Sequence, residues 1–412
     1  MLRLKALLKA KANEKKELKE LIDEFIKSNA KANYKNLEEF LEALIVFIYQ
    51  KWDSVEKNIL LELVKDKIEE YSVNFNTDDV DTIYEKIATA ATISTATLLN
   101  VKPKFTFDKV DVKAIKHMRD MFYWTGTQHS LDTQEKLKSI IEDVFKGNIP
   151  RAEVAGVLEE QFSGILSADR FYFEGVADHI INQSQNVARV TQALKYNIKA
   201  FRVVARIDNK TSDICRSMHG RIISATHLKA QVDRLLNAKS MSEKKAAAIW
   251  LNKPHFGALP KDLGLPPYHF RCRTIIVPVT LFSQKIDGKK VVYANKNKDD
   301  IITHIDKSGV QRRVKQNIYN KLKYKHKLKD KEIIGVLNDL KYIAPKKGKE
   351  SRFLAMSSRG YVVAFDADEV VTIFKPSRKA TEYFNDDVKD GGIVDIDSGK
   401  TLERVKKWFE IL

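Results

Sequence analysis

The first 75 residues repeat apolar positions at spacings of three and four. Leu18, Leu21, Ile22, Phe25 and Ile26 form one stripe, and Phe40, Leu41, Leu44, Ile45 and Ile48 form a second. Charged residues fill the positions between, which is the mark of amphipathic helices packed along one face. The Thr77–Asp81 stretch offers helix caps before a run rich in Ala, Thr and Ser over 88–99, where small side chains allow close packing. Lys102-Pro103 predicts a stop. Helices are then expected around 111–128 and 131–146. Gly147 to Pro150 predicts a break, and a helix from there ends near Ser163-Gly164. A long helix over about 167–196 closes at Asn197.

After residue 200 the period changes. Phe201 to Ile207 alternates and is β-branched, predicting a strand, and Arg273 to Val279 predicts another. A helix is expected over 225–252, followed by a proline-containing loop from Gly257 to Tyr268. Residues 283–300 are polar and rich in Lys and Asn, as a linker would be. Beyond them, Val314 to Leu340 predicts helix. Three short strands follow, Arg352–Met356, Tyr361–Phe365 and Val370–Lys375, joined by hairpin turns at 357–360 and 366–369, with a last helix over 401–411. The expected fold class is α+β and mainly helical. It comprises a helical module over 1–110, a mixed module with short strands over 111–282, a linker, and a small α+β domain with an antiparallel sheet over 301–412.

Composition narrows the function classes. A chain of 412 residues exceeds one ordinary core, and 16 Gly with 9 Pro agree with a helical protein. Two cysteines exclude a disulfide-rich scaffold. No apolar run approaches a membrane span, and the basic start Met1 to Lys5 does not read as a signal peptide. A net charge of +17 makes nucleic acid a natural partner through counterion release, while a merely solvated lysine-rich surface explains the same number.

The chemistry concentrates in 208–273. Asp208, Thr211, Asp213, Cys215, His219 and Gly220 come first; Pro266, Pro267, His269, Arg271, Cys272 and Arg273 follow after a gap. Both cysteines and four of the nine histidines lie here. Cys215-x3-His219 and His269-x2-Cys272 are two short-spaced pairs of the ligand types that hold tetrahedral zinc, so a structural zinc on Cys215, His219, His269 and Cys272 is one reading. Buried thiols beside hydrogen-bonded histidines are a second and a single disulfide a third. Cys215 as a nucleophile with a histidine base is a fourth, with no orienting third group in view. Asp208, Thr211 and Asp213 suit turns and caps, and Arg271 and Arg273 suit pairing with Asp208 or Asp213, or with a phosphate.

A strand ending in aspartate, Thr211-Ser-x-x-Cys215, His219-Gly220, a variable insert and Pro266-Pro-x-His-x-x-Cys-Arg273 together resemble the phage Mu F-like head morphogenesis family, the minor head proteins of tailed bacteriophages. The resemblance spans about 115–280. It includes a polar helix with Asn186, Arg189 and Gln192; where the family often has Arg-Thr-Glu, this chain has Gln183-Ser184-Gln185. It implies a virion protein of the portal vertex or head interior. Its partners would be the portal protein, other capsid proteins and packaged DNA, and its host-cell phase would be cytoplasmic. Relatives of this kind sometimes carry a C-terminal domain similar to the barnase, EndoU, colicin and RelE-like ribonucleases. The layout of 301–378 resembles those domains, which would make RNA a further partner. Metal-independent cleavage of RNA needs a proton shuttle and a phosphate brace. His326, Arg352, Thr372 and Lys375 are the candidates for these roles, with His304 and Ser377 behind them. Thr372 and Lys375 fall on opposite faces of an ideal strand.

Overall fold

The computed structural model describes residues 2–147, 149–286, 289–294, 299–349, 352–389 and 392–405. In chain order the elements up to the middle of the chain are α1 (Leu2–Lys51), α2 (Lys57–Glu69), α3 (Val80–Leu99), α4 (Lys109–Lys146), α5 (Arg151–Lys195), β1 (Ala200–Val204), α6 (Asp213–Met218), β2 (Ile222–Ser224), α7 (Ala225–Leu236) and α8 (Met241–Ala247). Strands then dominate, with β3 (Ile275–Val279), β4 (Leu281–Ile286), β5 (Lys289–Ala294), β6 (Asp300–Ile305) and β7 (Gln311–Lys315). The short α9 (Gln316–Asn320) runs into a π-helical turn, Lys321–Lys325. Then come α10 (Asp330–Asn338), β8 (Leu340–Pro345), β9 (Arg352–Ser357), β10 (Val362–Asp366), β11 (Glu369–Phe374), α11 (Ala380–Asp387), β12 (Ile393–Asp395) and β13 (Thr401–Leu402). The fold is α+β and mainly helical, as the pattern predicts.

Packing divides the chain into two compact units, 1–90 with 105–188 and 236–244, and 91–104 with 189–235 and 245–412. In the first, α1, α2, α4 and α5 bury a core around Leu41, Leu44, Leu60, Val64, Leu137 and Leu158. The extended segment after α2 gets its backbone partners from helix side chains. Asn29 and Asn33 bond the backbone of Asn76 and Asn74, the Ser130 hydroxyl accepts the Val73 N–H, and Gln134 donates to the Tyr71 carbonyl. Each replaces a strand neighbour that the segment lacks.

Two expected helix breaks do not occur. Residues 109–146 form one helix through Gly126, where a β-carbon would meet the Val73 carbonyl at 2.7 Å. The break expected between 128 and 131 is absent, and Gly126 is a point of close approach to the extended segment. Residues 151–195 likewise run as one helix through Ser163-Gly164, whose glycine costs only about 1 kcal/mol in a helix and whose serine bonds back to the Glu160 carbonyl. The expected helix 225–252 is broken instead into α7 and α8. Asn197 does end α5, in the left-handed conformation at φ 60°.

In the second unit β2, β1 and β3 form a small antiparallel sheet. An eight-stranded sheet has the order β13-β12-β8-β9-β10-β11-β7-β6, antiparallel except where β11 meets β7. The hydrophobic cluster with Ile333, Ile334 and Leu337 of α10 includes Phe353 and Phe365. A separate cluster with Phe384 of α11 includes Leu354 and Ala364, which alternate with those residues along β9 and β10. The three strands expected over 352–375 are its centre. Residues 283–300, expected as a linker, hold most of the β4–β5 hairpin, with Phe282 stacked on Tyr293 at 5.7 Å. Of the helix expected over 401–411, residues 401–402 pair as a strand with β12, and 406–411 lie outside the described residues.

Nor does 301–412 stand apart as a self-contained domain. Backbone bonds from Ile222 N–H to the Gly309 carbonyl and from Gln311 N–H to the Gly220 carbonyl join β2 and its approach to the β6–β7 hairpin. Phe256 packs edge-on to Phe353 at 5.4 Å, inside the same core as α10. No helix of the described residues is long and apolar enough to cross a membrane.

Candidate metal centre

Strand β1 delivers the chain to a polar turn at 208–211. Asp208 caps that turn through the Lys210 N–H and the Thr211 hydroxyl, and Arg216 donates to the carbonyls of Thr211 and Asp208. Ser212 then caps α6 by accepting the Cys215 N–H at 3.4 Å. The first turn of α6 therefore places Cys215 at a defined height above the cap. From the far side of the gap, the loop with its cis Pro266–Pro267 peptide brings in His269, Arg271 at φ 56° and Cys272. Arg273 makes a two-pronged pair with Asp208, both bonds 2.7 Å, which holds the second segment against the first. That bond pulls the Asp208 carboxyl well below the usual range.

Three ligand types meet where the segments join. Cys215 Sγ lies 3.5 Å from Cys272 Sγ and 3.2 Å from His269 Nε2, and the three donor atoms all lie within 4.8 Å of one another. A bonded disulfide needs about 2.0 Å, so the cysteines are free thiols in this structure. Around a tetrahedral zinc, two sulfurs stand about 3.7 Å apart and sulfur and nitrogen about 3.6 Å. The two separations from Cys215 Sγ come within about 0.4 Å of these values. The imidazole is also oriented as a ligand would be. His269 Nδ1–H donates to the Phe270 carbonyl at 2.8 Å, leaving the Nε2 lone pair toward the sulfurs. Hydrogen bonding from the Cys215 thiol, supported by His269, favours Cys272 as thiolate against the opposing effect of burial. The same bond, with burial, pushes the Cys215 thiol up. The group is thus able to bind a metal.

His219, expected as the fourth ligand, is elsewhere. It ends α6 with extended backbone, so its side chain leaves the helix. Its Nδ1 accepts the Ala205 N–H at 3.0 Å, which puts the proton on Nε2, 3.7 Å from Asp368. Spacing of four residues suggests one helical turn; the helix stops one residue too early for that.

Asp368 was invisible in the sequence. It is buried, pairs with Arg202 of β1, and accepts two bonds of 3.0 Å from Arg313 of β7. Burial raises its pKa, but the neighbouring His219, Arg313 and Arg202 outweigh that and hold it well below the usual range. Gly220, at φ 79°, passes so close that a β-carbon there would meet the Asp368 β-carbon at 2.8 Å. The only sequence signal was three acids in the four residues 366–369, which read as a turn.

The ribonuclease candidates are not brought together. Arg352 opens β9 opposite Asp366, at the end of the sheet where β10 turns into β11. Lys375 follows the other end of β11, about 20 Å away along six residues of strand. His326 is near that far end, 6.4 Å from the Phe374 ring, and its pKa is lowered by burial and by Lys321 and Lys325. Thr372 sits mid-strand opposite Ala364. His304 is bonded to Asn338 at 2.7 Å.

Searches among protein families, curated proteins and solved structures return no match to this chain.

Proposed function

We propose that this chain is a minor head protein of a tailed bacteriophage, acting in head morphogenesis at the portal vertex, with a zinc on Cys215, His269 and Cys272 that clips the two halves of its motif together. One observation carries the reading. The two halves of the motif close on each other pair by pair across 57 to 65 residues: Asp208 with Arg273, Ser212 with His269, Cys215 with Cys272. Residues that resemble a head-morphogenesis signature thus act as one structural unit, as a signature of fold would.

In this reading the helical N-terminal segment engages the portal and other virion proteins, and the excess positive charge faces packaged DNA, with or without release at ejection. Mass spectrometry of purified particles from a host carrying this gene tests it. Peptides of this chain in the particles, cross-linked to the portal protein, are expected. Particles of normal composition without this chain overturn the proposal. A virion-delivered ribonuclease finds no support in the positions of Arg352 and Lys375, at opposite ends of the sheet.

A further inference from the structure

The three-ligand group raises the question of what completes it. Among the described residues no fourth His, Cys, Asp or Glu atom joins the cluster. His219 is turned to Ala205 and Asp368. Both Asp208 oxygens are taken by Arg273. What remains nearby is two hydroxyls: Ser212 Oγ, 2.8 Å from His269 Nε2, and Thr274, whose buried side chain interacts with both cysteines. Neutral hydroxyls are weak zinc ligands but good hydrogen-bond partners for a metal-bound water. Two thiolates also cancel the charge of a divalent ion, so a neutral water is enough to finish the shell.

We propose that Cys215, His269 and Cys272 form a three-ligand metal centre whose fourth position takes an exchangeable ligand, water or a small anion, beside Ser212. Structural zinc sites are closed by four protein ligands, whereas three protein ligands with one open position define the exchangeable kind. Approach is from the side of Ser212 and His269, which are half-buried, because both sulfurs are buried. The inference rests on the metal reading above and adds to it: the clip also holds a ligand from solution.

Cobalt substitution tests it. The reduced full-length chain is loaded with one equivalent of Co(II), its visible spectrum recorded, and sodium azide titrated in. The expected result is thiolate-to-cobalt charge transfer with tetrahedral ligand-field bands, and a saturable shift of those bands by azide. His219→Ala should leave both unchanged, with cobalt affinity within about threefold. Cys272→Ser should lose about half of the charge-transfer intensity and at least a hundredfold in affinity, with circular dichroism as the check on folding. Should that variant fail to fold, the azide titration of the unaltered chain decides. A normal charge-transfer band with no response to azide sinks the open position alone. Absence of charge transfer sinks the metal reading with it.

Discussion

Cys215, His269 and Cys272 converge; His326, Arg352, Thr372 and Lys375 do not. Both sets stand out for their chemistry, and both lie in the same compact unit. The first set comes with local geometry: a cap at Ser212 that fixes where α6 starts, and a two-residue gap between His269 and Cys272. The second is defined by residue type along a strand pattern, and strands disperse side chains over about 3.3 Å per residue and two faces. Chemistry-bearing types predict a site only when short-range spacing already limits where they can point.

The sharpest way to probe the contrast is to attack the buried ion cluster against His219, at the end of the helix that carries Cys215. Asp368→Ala leaves the mostly buried Arg202 without its carboxylate, while Arg313 keeps Glu369 at 2.8 Å and Asp300 at 3.6 Å. An uncompensated buried charge costs about 3–5 kcal/mol. Urea unfolding of the variant should show a loss of that size. A change under about 1 kcal/mol, the range of an exposed pair, would mean the cluster is ornamental.

Gly220→Ala comes next. The residue sits at φ 79°, and the new β-carbon falls 2.8 Å from that of Asp368. Strained backbone of this kind costs about 1–3 kcal/mol. If the cost arises partly from pushing on Asp368, the double variant Gly220→Ala, Asp368→Gly should lose less than the two single variants added.

A pH series sharpens the same point without changing volume. The Asp368 pKa is depressed in the fold. Its stabilisation is therefore fully present above the unfolded value of about 3.9 and lost as pH falls through the lower folded value. The stability gap between the unaltered chain and Asp368→Asn should shrink as pH falls below about 4. A gap that grows on acidification contradicts the assignment.

Much of this was readable in advance, and the exceptions share a cause. Helical stripes, the Asn197 stop, the β1 and β3 strands and the 352–375 hairpins follow from local period and turn chemistry. Gly164 misled because a glycine inside a helix costs only about 1 kcal/mol, and the pause expected between 128 and 131 is crossed by His129 and Ser130, neither of which breaks a helix. Residues 283–300 read as linker because Lys, Asp and Asn make up ten of the eighteen residues, while Val291 and Ala294 are fully buried. Asp368 was hidden for the opposite reason. Aspartate in a hairpin turn is ordinary, and its partners Arg202 and Arg313 lie 166 and 55 residues away. His219 has a spacing that only a continued helix would have turned into a ligand position.

The smallest expected effects test the dispersed set. Alanine at His326, Arg352, Thr372 or Lys375 removes no shared network. Arg352 reaches Asp366 only at 3.8 Å, and the Lys375 ammonium lies 6.0 Å from the Tyr361 ring centre. Substitutions away from cores, caps and buried charges change stability by about 0.5 kcal/mol or less. Each variant of the full chain should therefore unfold within that margin of the parent. The same four variants, incubated with RNA beside the parent, separate structure from chemistry. Loss of one phosphate-stabilising group from a working site costs about 100–1000-fold in rate. Residues acting as one site would lower a common cleavage activity together, by factors of that order. With Arg352 and Lys375 at opposite ends of the sheet, no such concerted loss is expected. If cleavage occurs and falls together in all four, the side chains meet in a conformation other than this one, and the contrast between the two sets disappears.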